Sequence, residues 1–260
     1  MNILERITET KKQEVARQKE ITPEDQLSTY PGFERRCNSL KAALLKPEAS
    51  GIIAEFKQKS PSKREINYAV KVEDTTTTYV QAGASGLSVL TDYEYFGGTL
   101  ANLAKAREAN PLTPILRKDF MIDPWQITEA KAFGADVILL IAACLEKDQA
   151  EMLAAKAHEL GMEVLMEIHN PDELNLVNPQ VDLVGVNNRD LKTFKVDVET
   201  SVNLSKQIPG NYVKVSESGI SDAHTINYLK RNGFNGFLIG EAFMKTANPG
   251  EACRQLIAEL

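Results

Sequence analysis

Short apolar runs recur eight times along the chain, and polar segments of helical length separate most of them. Each run has the length of a strand and is rich in β-branched residues, which predicts β-structure. The runs begin at Gly51, Gly86, Thr113, Asp136, Met162, Val181, Tyr212 and Gly236. Between them, segments 101–110, 127–135, 148–161 and 224–233 carry apolar residues at helical spacing, and several end near a glycine that can cap a helix.

Strict alternation of strands and helices indicates parallel strands joined by right-handed crossovers. Eight such units in about 210 residues predict an α/β fold, a single (β/α)8 TIM barrel. The alternative is a doubly wound open sheet, which usually carries a glycine fingerprint after its first strand. Here the first strand runs into KQKSPSK (57–63), which has no such fingerprint. We therefore predict one domain over residues 1–260, with an N-terminal helical extension (1–48) and the barrel (49–260).

Composition and charge fit this picture and exclude several classes of protein. The 260 residues are 43% hydrophobic and 25% charged, which is typical of a globular protein. The net charge of −6 argues against general nucleic-acid binding but still permits a local basic pocket for a small anion. Three widely spaced cysteines indicate no disulfide framework, and no apolar run approaches the ~20 residues of a membrane span. We expect a soluble, cytoplasmic protein.

Ionisable and amide side chains cluster where the predicted strands end. In a parallel barrel alternate strand residues point inward, and active sites lie at the carboxyl ends of the strands. The inward side chains at those ends are Glu55, Lys57, Lys118, Glu167, Asn187, Arg189 and Glu217. Any one of them could simply meet water at a strand end. Together, three carboxylates and three cations at one opening indicate acid–base chemistry.

The last two predicted loops carry a second signal. Ser218-Gly219 follows the seventh strand and Gly240-Glu241 follows the eighth. These loops form the usual phosphate site of a barrel, because their backbone N–H groups can approach an anion closely. Three histidines, His158, His169 and His224, lack metal-ligand spacing, so we predict ordinary surface or capping roles for them and no metal site.

Seven ordered segments together make the chain resemble a known family. They are IAEFKQKSPSK (53–63), LRKDFMIDPWQI (116–127), GADVILLI (134–141), LMEIHN (165–170), GVNNRDLKTF (185–194), VSESGI (215–220) and FLIGEAFM (237–244). The family is that of indole-3-glycerol phosphate synthase. The resemblance implies ring closure of 1-(2-carboxyphenylamino)-1-deoxyribulose 5-phosphate, with loss of carbon dioxide and water and without any cofactor.

The resemblance also implies roles for individual residues. Lys118 would be the general acid, Lys57 would hold the substrate carboxylate or act in dehydration, and Glu167 would be a base or an electrostatic partner. The residues that would orient these groups are Glu55, Asn187 and Glu217. The residues that would surround the phosphate are Ser60, Arg189, Ser218, Gly219, Gly240 and Glu241. The residues that would line the aromatic pocket are Phe120, Leu139, Leu191 and Leu238.

One departure and two alternatives accompany the resemblance. Arg64-Glu65 stands where the family usually has a glycine, which bears on the mobility of the first loop. One alternative is another phosphate-binding barrel, such as phosphoribosylanthranilate isomerase, and the other is a non-catalytic anion-binding barrel. We expect a small phosphorylated substrate, no nucleic-acid or membrane partner, a monomer and no fused second enzyme.

Overall fold

The computed structural model describes residues 3–61, 63, 65–191 and 193–260. Arg64, which marks the departure in the first loop, lies outside the described residues. Eight strands form one sheet: β1 (Ile52–Phe56), β2 (Gly86–Leu90), β3 (Ile115–Lys118), β4 (Val137–Ile141), β5 (Glu163–Ile168), β6 (Leu183–Asn187), β7 (Val213–Glu217) and β8 (Gly236–Ile239). All neighbouring pairs are parallel, and β8 pairs with β1 to close the barrel. The predicted TIM barrel is confirmed.

Helices precede, separate and follow the strands. They are α1 (Ile3–Ile21), α2 (Glu24–Leu27), α3 (Leu40–Leu44), α4 (Val72–Gln81), α5 (Tyr93–Phe96), α6 (Leu100–Ala109), α7 (Pro124–Ala132), α8 (Lys147–Glu159), α9 (Glu199–Ser205), α10 (Ala223–Arg231), α11 (Glu241–Met244) and α12 (Pro249–Ala258). Short 3₁₀ helices cover Ala142–Cys144 and Pro171–Leu176. Among the described residues, no helix has the length and apolarity that a membrane crossing requires.

The helix starts follow ordinary capping chemistry. The Asp123 side chain caps α7 by accepting from the Trp125 N–H, and the Asp123 N–H donates to Gln126 Oε1 to complete a capping box. The Thr99 side chain caps α6 by accepting from the Asn102 N–H, and the Asp222 side chain caps α10 by accepting from the Thr225 N–H. These local contacts set where each helix begins, and so they fix the loops that leave the strand ends.

Two apolar layers lie on opposite sides of the sheet. One fills the barrel and includes, from alternate strand positions, Ile53, Leu116, Leu139, Leu165, Leu183, Val215 and Leu238. The other lies between the strands and the outer helices and includes Ile52, Ala54, Phe56, Ile138, Val164 and Val184. The inward face predicted from the two-residue period is therefore correct, and it directs the polar residues at the strand ends toward one opening.

Helix α1 is attached to the barrel by a buried cation. The side chain of Lys11 is only 2% exposed, and its ammonium lies 3.0 Å from carboxylate oxygens of both Asp92 and Asp119 and 2.8 Å from Glu14. Asp119 is also bound by Arg117 at 3.1 Å. A buried charge is tolerated only when it is paired, so this contact fixes the helix against the end of β3.

Candidate active site

A cavity of about 390 Å³ opens at the carboxyl ends of the strands. This volume lies in the usual range for a small-molecule site. Every residue that the sequence predicted for the site lines this cavity: Glu55, Lys57, Ser60, Lys118, Phe120, Leu139, Glu167, Asn187, Arg189, Leu191, Glu217, Ser218, Gly219, Leu238, Gly240 and Glu241. The structure thus brings the predicted residues together, while their individual roles stay predictions.

Lys118 stands at the centre of the ionisable side chains. Its ammonium lies 3.0 Å from Glu167 Oε2 and also contacts Glu217 Oε2. Asn187 Nδ2 donates to the other oxygen of Glu167 at 3.0 Å, which fixes that carboxylate in place. A second pair, Lys57 Nζ and Glu55 Oε1, lies 2.6 Å apart on β1 and the residue that follows it.

The environment shifts the pKa values of the two carboxyls that contact Lys118 in opposite directions. Burial alone would lower the pKa of Lys118, but the negative charges of Glu167 and Glu217 outweigh burial and raise it. Burial favours the neutral form of Glu167 too, yet Lys118 and His169 hold the pKa of that carboxyl below its usual range. Burial raises the pKa of Glu217 to about 7, against the pull of Lys118 and with the help of Glu167. Two carboxyls with well-separated proton affinities are what acid–base chemistry requires.

Two glycines make room for these carboxylates. A Cβ atom on Gly185 would lie 2.5 Å from Glu217 Oε1, so a larger residue on β6 would push that side chain away. A Cβ atom on Gly240 would collide with the side chain of Glu55 in the same manner. Both contacts run between neighbouring strands of the closed barrel, since β6 pairs with β7 and β8 pairs with β1.

The turn after β7 has a strained backbone. Ser218 and Gly219 both lie in the left-handed region, at φ 69° and 75°. A non-glycine residue in that region costs roughly 1–2 kcal/mol, and such strain gathers at ligand-binding sites. Beside this turn, after the neighbouring strand β8, α11 begins at Glu241 directly after Gly240, and Lys63 lies 2.5 Å from the Glu241 carboxylate. Basic side chains that line the cavity are Lys57, Lys118, Arg189 and Lys245.

An apolar wall faces the charged groups. The predicted residues of this wall are joined by Ile3, Leu4 and Ile7 of α1, which also line the cavity. Phe96 adds a ring whose centroid is 6.0 Å from that of Phe120. The sequence predicted a helical extension, but nothing local in it indicated that an apolar face of this extension covers the site.

His169 is the main polar residue that sequence reasoning missed. Its side chain is 10% exposed, and its Nε2 lies 3.2 Å from Glu167 Oε1. The predicted surface or capping role is therefore wrong for His169. The available signal was its position two residues after Glu167, which places both side chains on one face of the chain at the end of β5.

The closed barrel and its strand-end side chains define a (β/α)8-barrel enzyme with a site for acid–base chemistry. Within the described ranges, no group of three or more His, Cys, Asp or Glu side chains is arranged to hold a metal ion. A sequence model of the family described as indole-3-glycerol phosphate synthase matches residues 4–256. The chain belongs to this family, and the resemblance seen in its motifs is confirmed.

Curated relatives support the assignment over the full length. The chain is 47% identical to the indole-3-glycerol phosphate synthase of Bacteroides thetaiotaomicron, with 98% of each chain covered. It is 42% identical to the protein of that name from Polynucleobacter asymbioticus, with 99% of each covered. It is 41% identical to the one from Salinibacter ruber, with 100% of this chain and 96% of that one covered.

Solved structures with low sequence identity share the fold. The 3-hexulose-6-phosphate synthase of Salmonella typhimurium matches with a TM-score of 0.66 at 14% identity, covering 81% of this chain and 98% of that one. The tryptophan synthase α subunit of Legionella pneumophila matches with a TM-score of 0.61 at 14% identity, covering 85% and 96%. At this identity the likeness concerns the barrel architecture alone.

Proposed function

We propose that this chain converts 1-(2-carboxyphenylamino)-1-deoxyribulose 5-phosphate into indole-3-glycerol phosphate, carbon dioxide and water. The observation that carries the proposal is a single cavity that holds both the Lys118 acid–base centre and the two glycine-containing loops, in a chain of this family. A substrate with a phosphate and a carboxylate needs local cations, and basic residues line this cavity although the whole chain carries −6.

The first step joins two carbons of the substrate. The ring carbon that bears the carboxylate attacks the ketone carbon, and the carbonyl electron pair moves to oxygen. Lys118 donates a proton to that oxygen and is therefore the general acid of this step. Support comes from its two carboxylate contacts, which keep it protonated until a strongly basic oxygen develops, and from a side chain only 15% exposed.

The second step restores the aromatic ring. The C–C bond to the carboxylate breaks, carbon dioxide leaves, and the electron pair neutralises the iminium that the attack has created. Lys57 holds the carboxylate before it leaves, and Glu55 orients Lys57 through their 2.6 Å contact. The ionised carboxylate of Glu167 stabilises the iminium cation. The position of this carboxylate between Lys118 and Asn187 supports the assignment.

The third step removes water. The new hydroxyl leaves with a proton from an acid, and the neighbouring carbon gives up a proton to a base. Lys57 is the acid we assign here, and Glu167 is the base, with Glu217 orienting Lys118. No net oxidation or reduction occurs over the three steps, so the chemistry balances without an electron carrier.

The two ends of the substrate are assigned to the two remaining groups of cavity residues. The phosphate site comprises Ser60, Arg189, Ser218, Gly219, Gly240 and Glu241, the last through its backbone N–H. The strained turn and the nearby cations support this placement. The pocket for the substituted benzene ring comprises Phe120, Leu139, Leu191 and Leu238, which belong to the apolar side of the cavity.

We also propose that the protein works in the cytoplasm as a monomer with a single barrel domain. The free state of Cys37, Cys144 and Cys253 supports a reducing compartment. Light scattering coupled to gel filtration tests the monomer, for which a mass near 28.8 kDa is expected.

The test of the function is direct. Purified protein is mixed with the synthetic substrate, and the appearance of indole fluorescence is followed while mass spectrometry identifies the product. We expect saturable turnover, with one carbon dioxide released per product. A folded protein that gives no product at any substrate concentration overturns the proposal. The substrate without its phosphate serves as a control and should bind far more weakly.

A further inference from the structure

His169 bridges two carboxylates at the edge of the candidate active site. Its Nε2 lies 3.2 Å from Glu167 Oε1, and its Nδ1 lies 3.3 Å from Glu173 Oε2. The side chains of His169, Glu167 and Glu173 are 10%, 5% and 14% exposed, so water screens these contacts little. The nearer carboxylate is the one that contacts Lys118.

The carboxylates on both sides of the ring favour its doubly protonated form. A neutral imidazole carries one proton, so one of its nitrogens would present a lone pair to a carboxylate oxygen. Only the imidazolium offers an N–H to both Glu167 and Glu173. Burial works against the charged ring, but the two carboxylates outweigh burial and raise the pKa of His169 to about 10. The contact to Glu167 is close without hydrogen-bond alignment, so charge rather than a directed bond is its main effect.

Glu173 is itself held in place. Asn170 Nδ2 donates to Glu173 Oε1 at 2.7 Å, and the backbone N–H of His169 donates to Glu173 Oε2 at 2.7 Å. Glu173 lies in the short 3₁₀ helix that follows β5, and this helix places its carboxylate beside the ring of His169. The outer carboxylate therefore cannot turn away, and the imidazolium keeps its partner.

Glu167 belongs to a cluster that contains more carboxylates than ammonium groups. Three carboxylates, Glu55, Glu167 and Glu217, face the two ammonium groups of Lys57 and Lys118. When all its members are ionised this cluster carries a net negative charge, which disfavours the ionised form of each carboxylate in it. A positive His169 offsets that effect at Glu167 from outside the cavity, and its own charge is balanced by Glu173 on the outer side.

The charged groups of the loop after β6 that lie near the ring cancel one another. The charged residues that line the space beside His169 are Glu173, Arg189, Asp190, Lys195 and Asp197. Two of the four from the loop after β6 are basic and two are acidic. Helix α1 contributes the apolar Leu4 to this space. Cys144 stays a neutral thiol, because burial raises its pKa to about 12.

We infer that His169 is a positioning residue that keeps the Glu167 carboxylate ionised and directed at Lys118, and that Glu173 keeps the ring of His169 charged. The inference rests on the proposed function, in which Glu167 acts as an anion. It assigns a task to two residues, His169 and Glu173, that are not themselves among the proposed substrate contacts.

Two variants should move opposite limbs of the pH profile of kcat/KM. His169→Gln removes the positive charge, so the carboxyl pair of Glu167 and Glu217 holds its proton to higher pH and the acid limb moves up by about 1–3 units. Glu173→Gln leaves the ring but lowers its pKa, so the ring loses its charge sooner and activity falls earlier on the alkaline side. His158→Gln is the matched control, since His158 pairs with Asp182 away from this cavity.

A second readout does not depend on turnover. The imidazole of His169 is followed by nitrogen NMR from pH 5 to 11, and we expect it to stay charged through neutrality in the wild-type protein. A titration near the ordinary value of about 6.5, or unshifted limbs in both variants, overturns the inference. If wild-type protein shows no synthase activity, the proposed function fails, while the NMR titration still decides the charge of His169.

Discussion

Removal of the Lys118 ammonium is the most direct test of the proposed chemistry. Lys118→Ala deletes the only side chain seen to contact both Glu167 and Glu217 in the described structure. A positioned general acid contributes typically ~10²–10⁴-fold in rate, so kcat should fall by about that factor. Because the proton transfer belongs to the transition state, kcat and kcat/KM should fall together.

The arginine variant separates charge from proton donation. Lys118→Arg keeps a positive charge near the two carboxylates, but a guanidinium does not release its proton near neutral pH. It should therefore fail in ring closure nearly as severely as the alanine variant. If charge alone were the contribution of Lys118, the arginine variant would keep most of the activity, and the role of general acid would be wrong.

The stability of a Lys118→Met variant should depend on pH in a definite direction. Loss of one partner from a buried ion pair costs about 3–5 kcal/mol when the other charge stays uncompensated. Here Glu217 can take up a proton, since burial already raises its pKa to about 7. Its pKa rises further in the variant, so the penalty is small near pH 5 and grows as the pH rises toward 9. Urea unfolding at several pH values measures it.

The assay must distinguish lost chemistry from a lost fold. Single-turnover ring closure is measured for the Lys118 variants, and binding of an unreactive substrate analogue reports on the cavity. We expect analogue binding to survive in the alanine variant while ring closure does not. Variants that stay within a few-fold of wild type would show Lys118 to be only a solvated charge at a strand end, and would refute the mechanism.

Three further predictions follow from single contacts. Gly185→Ala should lower kcat by about 10–100-fold because its methyl group displaces a carboxylate, whereas Gly210→Ala, with no atom within 4 Å of the new Cβ, should be neutral in the same assay. Arg189→Ala should raise KM more than it lowers kcat, since the phosphate contact that we propose for Arg189 would act equally in ground and transition states. Lys11→Met should lower the unfolding free energy by about 3–5 kcal/mol, and Lys12→Met, at a side chain 63% exposed, by less than about 0.5 kcal/mol, both by urea titration.

The barrel and most of the cavity could be predicted from the sequence because both follow from short-range periodicity. Glu55 and Lys57 share the face of Ile53 by a two-residue period, and a parallel barrel sends all such ends to one opening. The contact of His169 with Glu173 could not be predicted this way. It depends on the 3₁₀ turn after β5, whose path is set by the Asn170 cap and not by any period.

The covering helix shows a different limit. Ile7, Lys11 and Val15 recur every four residues, so Lys11 falls on the apolar face of α1. A lysine in the middle of an apolar face is the signal of a buried ion pair, because an unpaired ammonium there would be too costly. The sequence contains that signal, but it does not name the partners: Asp92 and Asp119 follow different strands, and only the closed barrel brings them together.

Gly240 has two separate reasons to lack a side chain. Its position after β8 predicts that it belongs to a phosphate loop, and that prediction uses its backbone alone. The structure adds a side-chain reason, since a Cβ atom there would strike Glu55 from the neighbouring strand. Gly185 has only the second reason, for Glu217. Protein interiors are packed to the density of crystals, so a buried charged side chain fits only where its neighbours are small enough, as an apolar side chain does. At this barrel opening the missing side chains on β6 and after β8 provide that space, and the two lysines then hold the carboxylates in it.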